Sequence, residues 1–432
     1  MTKYFGTDGI RGRALKDLTA ELAFTLGQAI DQVFKPSQVV IGMDTRESSP
    51  LLAYSLASGL NARGVDVIFA GVVSTPMIAY YSKRENMIGV MITASHNPYT
   101  DNGIKVFKKG EKTRESDEAK LEAFIENGTL TYQPFGTFTY SDAIENAYLE
   151  LLKSLQCTKT PFNVLYDSAN GANYAIASKV IASLAHKHTQ LGNQPNGKNI
   201  NVQCGSTHME TLVKTIKQTP HDIGFAFDGD GDRVLMVGKD GTIYDGDMII
   251  YIIARYLKKE GKLNHNTVVL TKMSNPGLHA ALKREGITPV LTDVGDKYVY
   301  EALIKGDYSI GGEASGHIIV RHLLHSGDGL LIALVLMQIF DTLKQTPEAL
   351  TKDVTLYPLK TTNLTGIDKT IVQRPHVKEA IEKIKNTYDE EHLILVRPSG
   401  TENKIRVTVS FKDLMLVEAV TQKIVNIINE EG

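Results

Sequence analysis

The chain has 432 residues, more than one hydrophobic core usually supports, so several domains are expected. Hydrophobic residues make up 42 % and charged residues 22 %, and 47 basic side chains nearly balance 49 acidic ones, for a net charge of −2. This balance excludes bulk attraction to nucleic acid or to an anionic membrane surface. A partner must therefore be recognised by a local site.

The cysteine and hydropathy patterns predict a cytoplasmic protein. The two cysteines, Cys157 and Cys204, form neither a disulfide framework nor a metal-binding spacing, as is typical of a reducing compartment. Residues 1–14 are polar and glycine-rich and lack the apolar run of a signal peptide. The most hydrophobic stretch, residues 329–340, is too short to span a bilayer and predicts a buried helix.

Strand-like and helix-like segments alternate in the first part of the chain. Apolar runs that favour β-strands lie at residues 39–44, 66–71 and 87–94. Helical patterns separate them, one expected to end at Gly64 and another to start at Pro76. This rhythm indicates a mostly parallel sheet covered by helices.

The same rhythm recurs further along the chain. Residues 162–184 are predicted to form a strand, a turn of small residues and a helix, and residues 222–228 a further strand. Residues 267–287 repeat the pattern, with Ser-Asn-Pro at 274–276 predicted to cap and open the helix. These segments indicate a second and a third α/β domain.

The C-terminal segment has a different pattern. After Thr361 we expect a polar turn, a helix over residues 376–388, short strands around Arg397 and Arg406, and a final helix from Leu414. This order predicts a small α+β domain reached through a flexible connection. The predicted domains are I (1–143), II (144–247), III (248–359) and IV (360–432).

The first candidate site is the loop TASHNPYTDNGIKVF, residues 93–107. It follows an apolar strand, so Ser95 would lie at the carboxyl end of a strand, where α/β sheets bind ligands. Pro98 ends any central strand, so the loop presents the hydroxyl. Lys105 is a candidate proton shuttle or phosphate partner. An ordinary polar turn is the alternative, whereas a Ser/His/Asp hydrolase is disfavoured because no G-x-S-x-G elbow surrounds Ser95.

The second candidate site is DGDGDR, residues 228–233. Asp228, Asp230 and Asp232 alternate with glycines, which would let the backbone fold so that three carboxylates converge. Carboxylates that repel one another suit a hard cation such as Mg²⁺. The alternative is a hairpin turn, because Asp-Gly is a strong hairpin signal. We expect that alternative at residues 240–241, which have no neighbouring carboxylate cluster.

A third candidate loop, GGEASGH, carries groups suited to a sugar. Glu313, Ser315 and His317 alternate along it, so their polar ends could line one surface and hydrogen-bond to sugar hydroxyls. A solvated turn is the alternative interpretation of this loop.

A fourth candidate loop, RPSGTENKIRV (397–407), carries groups suited to phosphate. Arg397, the hydroxyls of Ser399 and Thr401 and the amide of Gly400 make an anion cradle, to which Arg406 adds charge. The alternative is a surface turn with its arginines in solvent. No GxxxxGK[ST] sequence occurs, which excludes a nucleotide triphosphatase of the Walker type.

Together, and in this order, the four loops resemble the α-D-phosphohexomutase superfamily. Members of that superfamily have a T-A-S-H-N-P phosphoserine loop, a D-G-D-G-D metal loop, a G-E-x-S-G-H sugar loop and an R-P-S-G-T-E phosphate loop. The corresponding residues here are 93–98, 228–232, 312–317 and 397–402. The resemblance implies three α/β domains with mixed sheets and a C-terminal α+β domain, arranged around a central cleft, with the last domain as a mobile lid.

The resemblance also implies a role for each residue. Phosphorylated Ser95 would bind one Mg²⁺ per active site together with Asp228, Asp230 and Asp232. The reacting phosphoryl group would be surrounded by catalytic side chains, namely Arg11, His96, Lys105 and Arg233, with the general base left open. The substrate would be bound by Glu313, Ser315 and His317 at the sugar and by Arg397, Ser399, Gly400, Thr401 and Arg406 at the phosphate.

Residues 4–12, 294–299 and 326–329 look most like a bacterial branch of this superfamily that acts on glucosamine phosphates. This implies a cytoplasmic isomerase that interconverts the 6-phosphate and the 1-phosphate through a hexosamine 1,6-bisphosphate and feeds peptidoglycan precursor synthesis. A homodimer would fit the family. A phosphomannomutase or phosphoglucomutase is the nearest alternative, and a non-catalytic sugar-phosphate sensor or a metal-dependent phosphatase are alternatives of other classes.

Two positions depart from the family pattern. Asn403, followed by Lys404, replaces the usual proline after R-P-S-G-T-E, and Asp293 stands ahead of V-G-D, where a basic residue is common. Either change could alter substrate preference or rate, but neither removes a catalytic group.

Overall fold

The structure, a computed structural model, describes residues 4–6, 8–398 and 404–430. Its strands are β1 (Phe5–Gly6), β2 (Gly9–Arg13), β3 (Gln38–Met43), β4 (Asp66–Val72), β5 (Ile88–Ile92), β6 (Asp101–Lys108), β7 (Glu111–Lys112), β8 (Phe138–Tyr140), β9 (Asn163–Asp167), β10 (Lys187–Leu191), β11 (Ile223–Phe227), β12 (Val234–Gly238), β13 (Ile243–Tyr244), β14 (Thr267–Thr271), β15 (Thr288–Thr292), β16 (Ile310–Gly312), β17 (Ile318–Val320), β18 (Leu359–Thr365), β19 (Leu393–Pro398) and β20 (Lys404–Ser410). Its α-helices are α1 (Ala20–Phe34), α2 (Ser49–Asn61), α3 (Thr75–Arg84), α4 (Glu115–Asn127), α5 (Ala143–Ser154), α6 (Tyr174–Leu184), α7 (Glu210–Gln218), α8 (Gly246–Lys259), α9 (Pro276–Arg284), α10 (Asp296–Lys305), α11 (Gly329–Leu343), α12 (Pro347–Thr351), α13 (Pro375–Lys385) and α14 (Leu414–Glu430), with short 3₁₀ helices at Asn264–Asn266 and Lys369–Gln373.

The chain divides into two compact units. The first comprises Met1–Ile249 and Ser315–Pro347, and the second comprises Ile250–Ala314 and Glu348–Gly432. The hydrophobic stretch predicted to be a buried helix is α11, most of whose residues are buried. Across the described parts of the chain, none of the helices has the length and apolar character needed to cross a membrane.

The first sheet of unit 1 has the order β1-β2-β6-β5-β3-β4-β8, with β7 beside β6. Strands β5, β3, β4 and β8 are parallel, whereas β6, β2 and β1 are antiparallel to their neighbours. The sheet is therefore mixed, and the loop that carries Ser95 turns the chain directly from β5 into antiparallel β6. Helices α1 and α2 pack together over the sheet and bury the apolar stripe that includes Leu26 and Leu56.

One helix of this domain ends earlier than predicted. Helix α2 ends at Asn61, before Gly64, which has a φ of +80° in the turn that follows. Gly64 still supplies the left-handed conformation that side chains disfavour, but it does so after the helix. Helix α3 begins at Thr75, with Pro76 in its first turn as expected.

The second sheet of unit 1 has the order β10-β9-β11-β12-β13. Strands β10, β9 and β11 are parallel, and β12 and β13 continue the sheet antiparallel. The predicted turn at residues 240–241 is confirmed, because it joins β12 to β13 and Gly241 has a φ of +87°. The DGDGDR loop itself connects antiparallel β11 and β12, so it is a hairpin connection as well as a carboxylate cluster.

Unit 2 contains the parallel strands β15, β14 and β16 and the antiparallel sheet β18-β20-β19. The predicted cap of α9 is confirmed, since Asn275 Oδ1 accepts from the amide of Gly277 at 2.9 Å and Pro276 opens the helix. Helices α13 and α14 pack on the antiparallel sheet around Val407 and Val420. The predicted class, three α/β domains with mixed sheets and a C-terminal α+β domain, is confirmed.

The polar turn predicted after Thr361 is wrong, because β18 runs through that position and pairs with β20. Its sequence, LKTTNLT, is polar on both faces and lies at the edge of the sheet. An edge strand that buries little apolar surface has no alternating pattern to detect.

Candidate active site

Ser95 lies at the carboxyl end of β5, on the short loop that leads to β6. The residue is 1 % exposed and has a φ of +52°, in the left-handed region. Its hydroxyl donates to Asp228 Oδ2 at 2.5 Å, and His96 Nδ1 lies 3.4 Å from the same oxygen. The loop of domain I and the aspartate loop of domain II therefore meet at this hydroxyl.

The three aspartates converge as the spacing predicted. One carboxylate oxygen from each of Asp228, Asp230 and Asp232 lies within 4.8 Å of the others, and all three residues are buried. Gly231 takes a φ of +77° between them. A Cβ at Gly229 would lie 2.5 Å from the carbonyl oxygen of Ser95, so only glycine lets the two loops approach this closely.

Lys105 neutralises part of this negative charge. Its Nζ lies 2.8 Å from Asp230 Oδ2, 3.4 Å from Asp232 Oδ2 and 3.1 Å from Asp8 Oδ2. Burial alone would lower the pKa of Lys105, but these carboxylates outweigh it and hold the pKa well above its usual value. Lys105 is therefore a cation in this arrangement, which favours the role of phosphate partner over that of proton acceptor.

Asp228 and Asp232 have opposite pKa shifts. Burial, followed by the charges of Asp232 and Asp230, raises the pKa of Asp228 well above its ordinary value. Burial also acts to raise the pKa of Asp232, but the charge of Lys105 and the interaction with His317 outweigh it and hold that pKa well below its usual range. Asp228, beside the serine hydroxyl, is therefore the carboxyl group whose charged form is disfavoured, and a bound cation would favour that form.

The oxygens of the cluster fit a divalent cation. Asp230 Oδ1 and Asp232 Oδ1 are buried and accept no hydrogen bond from any described residue. Buried carboxylate oxygens without donors are costly unless a cation takes them up. An all-oxygen set of this kind suits Mg²⁺.

Cationic side chains lie near the aspartate cluster. Asp8 pairs with Lys105 and contacts Arg11 and Lys112. Burial acts to raise the pKa of Asp8, but the charges of these three cations outweigh it and hold the pKa well below its usual range. Burial, then the charges of Arg233 and Arg11, lowers the pKa of His96 to about 4, so His96 is neutral at neutral pH. A positive environment of this kind suits a phosphate group.

His317 is held against the aspartates. Its Nδ1 lies 3.6 Å from Asp232 Oδ2, and the amide of Gly327 donates to its Nε2 at 3.2 Å. An Nε2 that accepts a hydrogen bond places the proton of the neutral ring on Nδ1, facing Asp232. Ser315 is exposed. The contact of both side chains with a sugar stays a prediction.

The segment 326–329 packs on the aspartate loop. The amide of Gly329 donates to the carbonyl of Gly231 at 3.0 Å. Asp328 caps α11 by accepting from the amide of Leu331 at 3.0 Å, and the hydroxyl of Tyr148, on α5, donates to its other oxygen at 2.7 Å. Complete burial is the main reason why the pKa of Asp328 is raised to about 6.

We expect Tyr148→Phe to destabilise the protein more at pH 8 than at pH 5. Above pH 6 the Asp328 carboxylate is charged and would lose a donor inside the protein, which costs roughly 1–3 kcal/mol. Below that pKa the group is protonated, so the lost bond matters less. Urea unfolding at the two pH values measures the difference. In an Asp328→Asn background the pH dependence should vanish, and an equal effect of Tyr148→Phe at both pH values would contradict this account.

In unit 2, the predicted phosphate-binding arginines lie on neighbouring strands. Arg397 of β19 and Arg406 of β20 are directly opposite in the ladder. Burial and then the charge of Arg406 lower the pKa of Arg397, an effect that Glu313 opposes. Like charges directly opposite are destabilising, so this pair suits a bound anion. The predicted Ser399, Gly400 and Thr401 lie outside the described residues, as does Asn403.

Glu313 contacts the V-G-D segment, and Asp293 has a local partner. Glu313 Oε1 accepts from the amide of Gly295 at 3.0 Å. Asp293 pairs at 2.7 Å with Lys272, which directly follows the adjoining parallel strand β14. A basic side chain therefore still lies beside this position, supplied from a different place in the sequence.

Several residues of the site were not predicted from the sequence. They are Asp8, Asp44, Arg46, Thr75, Lys112 and Asn201. Asp44 and Arg46 follow β3, which is parallel to β5, so they lie at the same edge of the sheet as Ser95. Their position after an apolar strand could therefore have indicated that they belong to the site. Thr75 donates from the first turn of α3 to Asp230 Oδ2 at 2.6 Å, a contact that nothing in the local sequence indicates.

Family models match the chain along almost its whole length. The matches are to phosphoglucomutase/phosphomannomutase α/β/α domain I at residues 2–131, domain II at 139–241, domain III at 245–357 and the C-terminal domain at 359–427. The chain belongs to the phosphoglucomutase/phosphomannomutase family. The domain limits predicted from the sequence, 143, 247 and 359, stay predictions.

Curated members of the phosphoglucomutase/phosphomannomutase family resemble the whole chain. A phosphoglucosamine mutase of Shouchella clausii (strain KSM-K16) is 42 % identical over 446 residues, and one of Lactococcus lactis subsp. cremoris (strain MG1363) is 40 % identical over 448. Each alignment covers 100 % of this chain and 99 % of the relative. A solved phosphoglucomutase/phosphomannomutase family protein of Burkholderia thailandensis has a TM-score of 0.83 at 23 % identity, covering 100 % of this chain and 98 % of that one, which supports the fold.

Proposed function

We propose that the chain is a phosphoglucosamine mutase, an isomerase that interconverts glucosamine 6-phosphate and glucosamine 1-phosphate in the cytoplasm. The main observation that supports this reaction is the position of the Ser95 hydroxyl. It lies 2.5 Å from Oδ2 of Asp228, which belongs to a buried group of three aspartates. The choice of sugar is supported by the two whole-chain relatives of 40–42 % identity that bear this name.

Ser95 carries the transferred phosphoryl group in this proposal. Phosphorylation would replace the hydroxyl hydrogen that now points at Asp228, so the phosphate oxygens would enter the region between the aspartates and the cations Arg11, Lys105 and Arg233. Asp228, Asp230 and Asp232 would hold Mg²⁺, which when bound offsets negative charge on the phosphoryl group. The cationic side chains stabilise the remaining charge.

The reaction then takes two transfers in opposite directions. Phosphorylated Ser95 gives its phosphoryl group to the free hydroxyl of the sugar monophosphate, and a hexosamine 1,6-bisphosphate forms. The bisphosphate must reverse its orientation before the other phosphate can return a phosphoryl group to Ser95. Arg397 and Arg406 would hold the phosphate that is not reacting, at C6 in one half-reaction and at C1 in the other.

We expect the protein to prefer glucosamine 6-phosphate to glucose 6-phosphate by about tenfold or more in kcat/KM, since the sugars differ in a group that a site can hydrogen-bond. The assay uses purified protein, Mg²⁺ and a trace of hexose 1,6-bisphosphate, and follows formation of the 1-phosphate. An equal or better rate with glucose 6-phosphate would contradict the sugar assignment and support the phosphoglucomutase alternative. Steady release of inorganic phosphate independent of Ser95 would instead indicate a phosphatase.

A further inference from the structure

Arg46 lies beneath the loop that carries Ser95 and has no role in the function proposed above. It is 1 % exposed, and its Nε donates to Asp44 Oδ2 at 2.9 Å. Nη2 donates to the carbonyls of Ser95 at 2.8 Å and Asn97 at 2.9 Å, and Nη1 donates to those of Pro98 at 2.5 Å and Asp101 at 3.1 Å. A guanidinium has five N–H donors in a fixed plane. All five therefore have an acceptor in or beside this one loop.

Asp44 holds the same loop through Thr93. Its Oδ2 also accepts from the hydroxyl of Thr93 at 2.7 Å, and that hydroxyl accepts from the amide of Ser95 at 2.9 Å. Its Oδ1 accepts from the amide of Arg46 at 3.0 Å. The amide of Ser95 is thus tied to Asp44 through Thr93, while its carbonyl is tied to Arg46 directly.

These bonds act on a residue in an uncommon conformation. Ser95 has a φ of +52°, which a side chain disfavours and which persists only when the surroundings fix it. Asn201, from domain II, donates to the same carbonyl at 2.9 Å. Fixing the amide and the carbonyl fixes the direction of the Cα–Cβ bond, and with it the place of the hydroxyl beside Asp228.

We propose that Arg46, braced by Asp44, is a positioning residue that aims the Ser95 oxygen at the aspartate cluster. The inference rests on the proposed function, because the aim of this oxygen affects the rate only if Ser95 carries the phosphoryl group. A lysine would keep the charge but cannot direct five coplanar bonds. The rate of phosphoryl transfer should therefore depend on the guanidinium itself.

The test compares Arg46→Lys with Arg63→Lys in the full-length protein. Arg63 is a matched control, since its Nε pairs with Asp31 Oδ2 at 2.7 Å in the same domain but holds no part of the loop. We expect Arg46→Lys to lower kcat about 100-fold, the scale of a misplacement of about 1 Å. The KM for the sugar phosphate should stay within about twofold, since other loops bind it. Arg63→Lys should change neither constant.

Three results of this comparison would overturn the inference. The first is a kcat of Arg46→Lys within about threefold of the parent. The second is an equal loss in Arg63→Lys, and the third is a KM that rises as much as kcat falls; either of these would indicate a general structural effect. If Arg46→Lys does not fold, Thr93→Val decides, because it removes only the hydroxyl between Asp44 and Ser95. A fall in kcat alone supports the inference, and an unchanged kcat overturns it.

The proposed function is tested separately within the same experiment. The parent's own turnover of glucosamine 6-phosphate tests that function, whereas the ratio of variant to parent tests the inference. If the parent acts on another hexose phosphate, the ratio of variant to parent kcat is measured with that sugar, and this ratio decides the inference. A parent that transfers no phosphoryl group to or from Ser95 overturns both.

Discussion

Ser95→Ala is expected to lower the rate of 1-phosphate formation by about 10⁴-fold or more, because it removes the atom that carries the phosphoryl group. No other described hydroxyl donates to Asp228, so no neighbour can take over the transfer. The measurements are kcat with glucosamine 6-phosphate and the incorporation of phosphate into the protein from a hexose 1,6-bisphosphate. Both should fall to background, while binding of the sugar phosphate persists.

Ser74→Ala is the matched control for this variant. Ser74 is also fully buried in domain I, and its hydroxyl has no hydrogen-bond partner among the described residues. Its loss should leave phosphate incorporation and kcat close to the parent values. Full activity of Ser95→Ala would show that the phosphoryl group travels by another route, and the serine-based mechanism would then be wrong.

The candidate site could be predicted where its functional residues lie close together in the sequence. Asp228, Asp230 and Asp232 alternate with glycines in one short segment, so the sequence alone indicates a carboxylate cluster. Ser95 was predictable for a related reason, since a polar loop after an apolar strand must lie at a sheet edge.

The partners that hold those groups were harder to predict, because they come from distant segments. Asp44 and Arg46 follow a strand that lies beside β5 only once the sheet is assembled. Asn201 reaches the Ser95 carbonyl from domain II, across a large separation in sequence. Each is an ordinary polar residue in its local sequence, and its contact depends on long-range packing that a local pattern does not specify.

The strands, like the site residues, were predictable only where the local sequence carries the signal. The buried strands β3 and β11 contain continuous apolar runs, and they were predicted within one residue of their observed limits. Strand β18 was missed because its stability comes from pairing along its whole length with β20 and not from its own apolar face. Hydrophobic periodicity detects burial, so it does not detect edge strands held by main-chain hydrogen bonds.

The electrostatics of the aspartate cluster lead to the second large prediction. Lys105 pairs with Asp230 and Asp232, whereas Asp228 keeps the hydroxyl of Ser95 and the amide of Arg233 as its hydrogen-bond donors. The pKa of Asp228 is accordingly raised, chiefly by burial. An acid whose folded-state pKa is raised destabilises the fold progressively as the pH rises above its unfolded value, near 3.8. The metal-free protein therefore carries this destabilisation at neutral pH.

Asp228→Asn is expected to abolish activity and, at the same time, to stabilise the metal-free protein. The amide can keep both hydrogen bonds, since its oxygen accepts from the Arg233 amide and its nitrogen donates to the Ser95 hydroxyl, while the buried charge is gone. We expect kcat to fall by about 10³-fold or more as an anionic metal ligand is lost. The free energy of unfolding without metal should rise by on the order of 1 kcal/mol, which corresponds to a single pKa unit.

Asp230→Asn separates this effect from a general response to losing a carboxylate. Its carboxylate is the partner of buried Lys105 at 2.8 Å, so its removal should leave a cation poorly compensated and should lower the stability of the metal-free protein. Denaturant unfolding with EDTA and with excess Mg²⁺ measures both variants. The parent should gain stability from Mg²⁺ and each variant much less. The electrostatic account would be contradicted if both variants shifted the metal-free stability in the same direction, because it requires one aspartate to be uncompensated and the other to be paired.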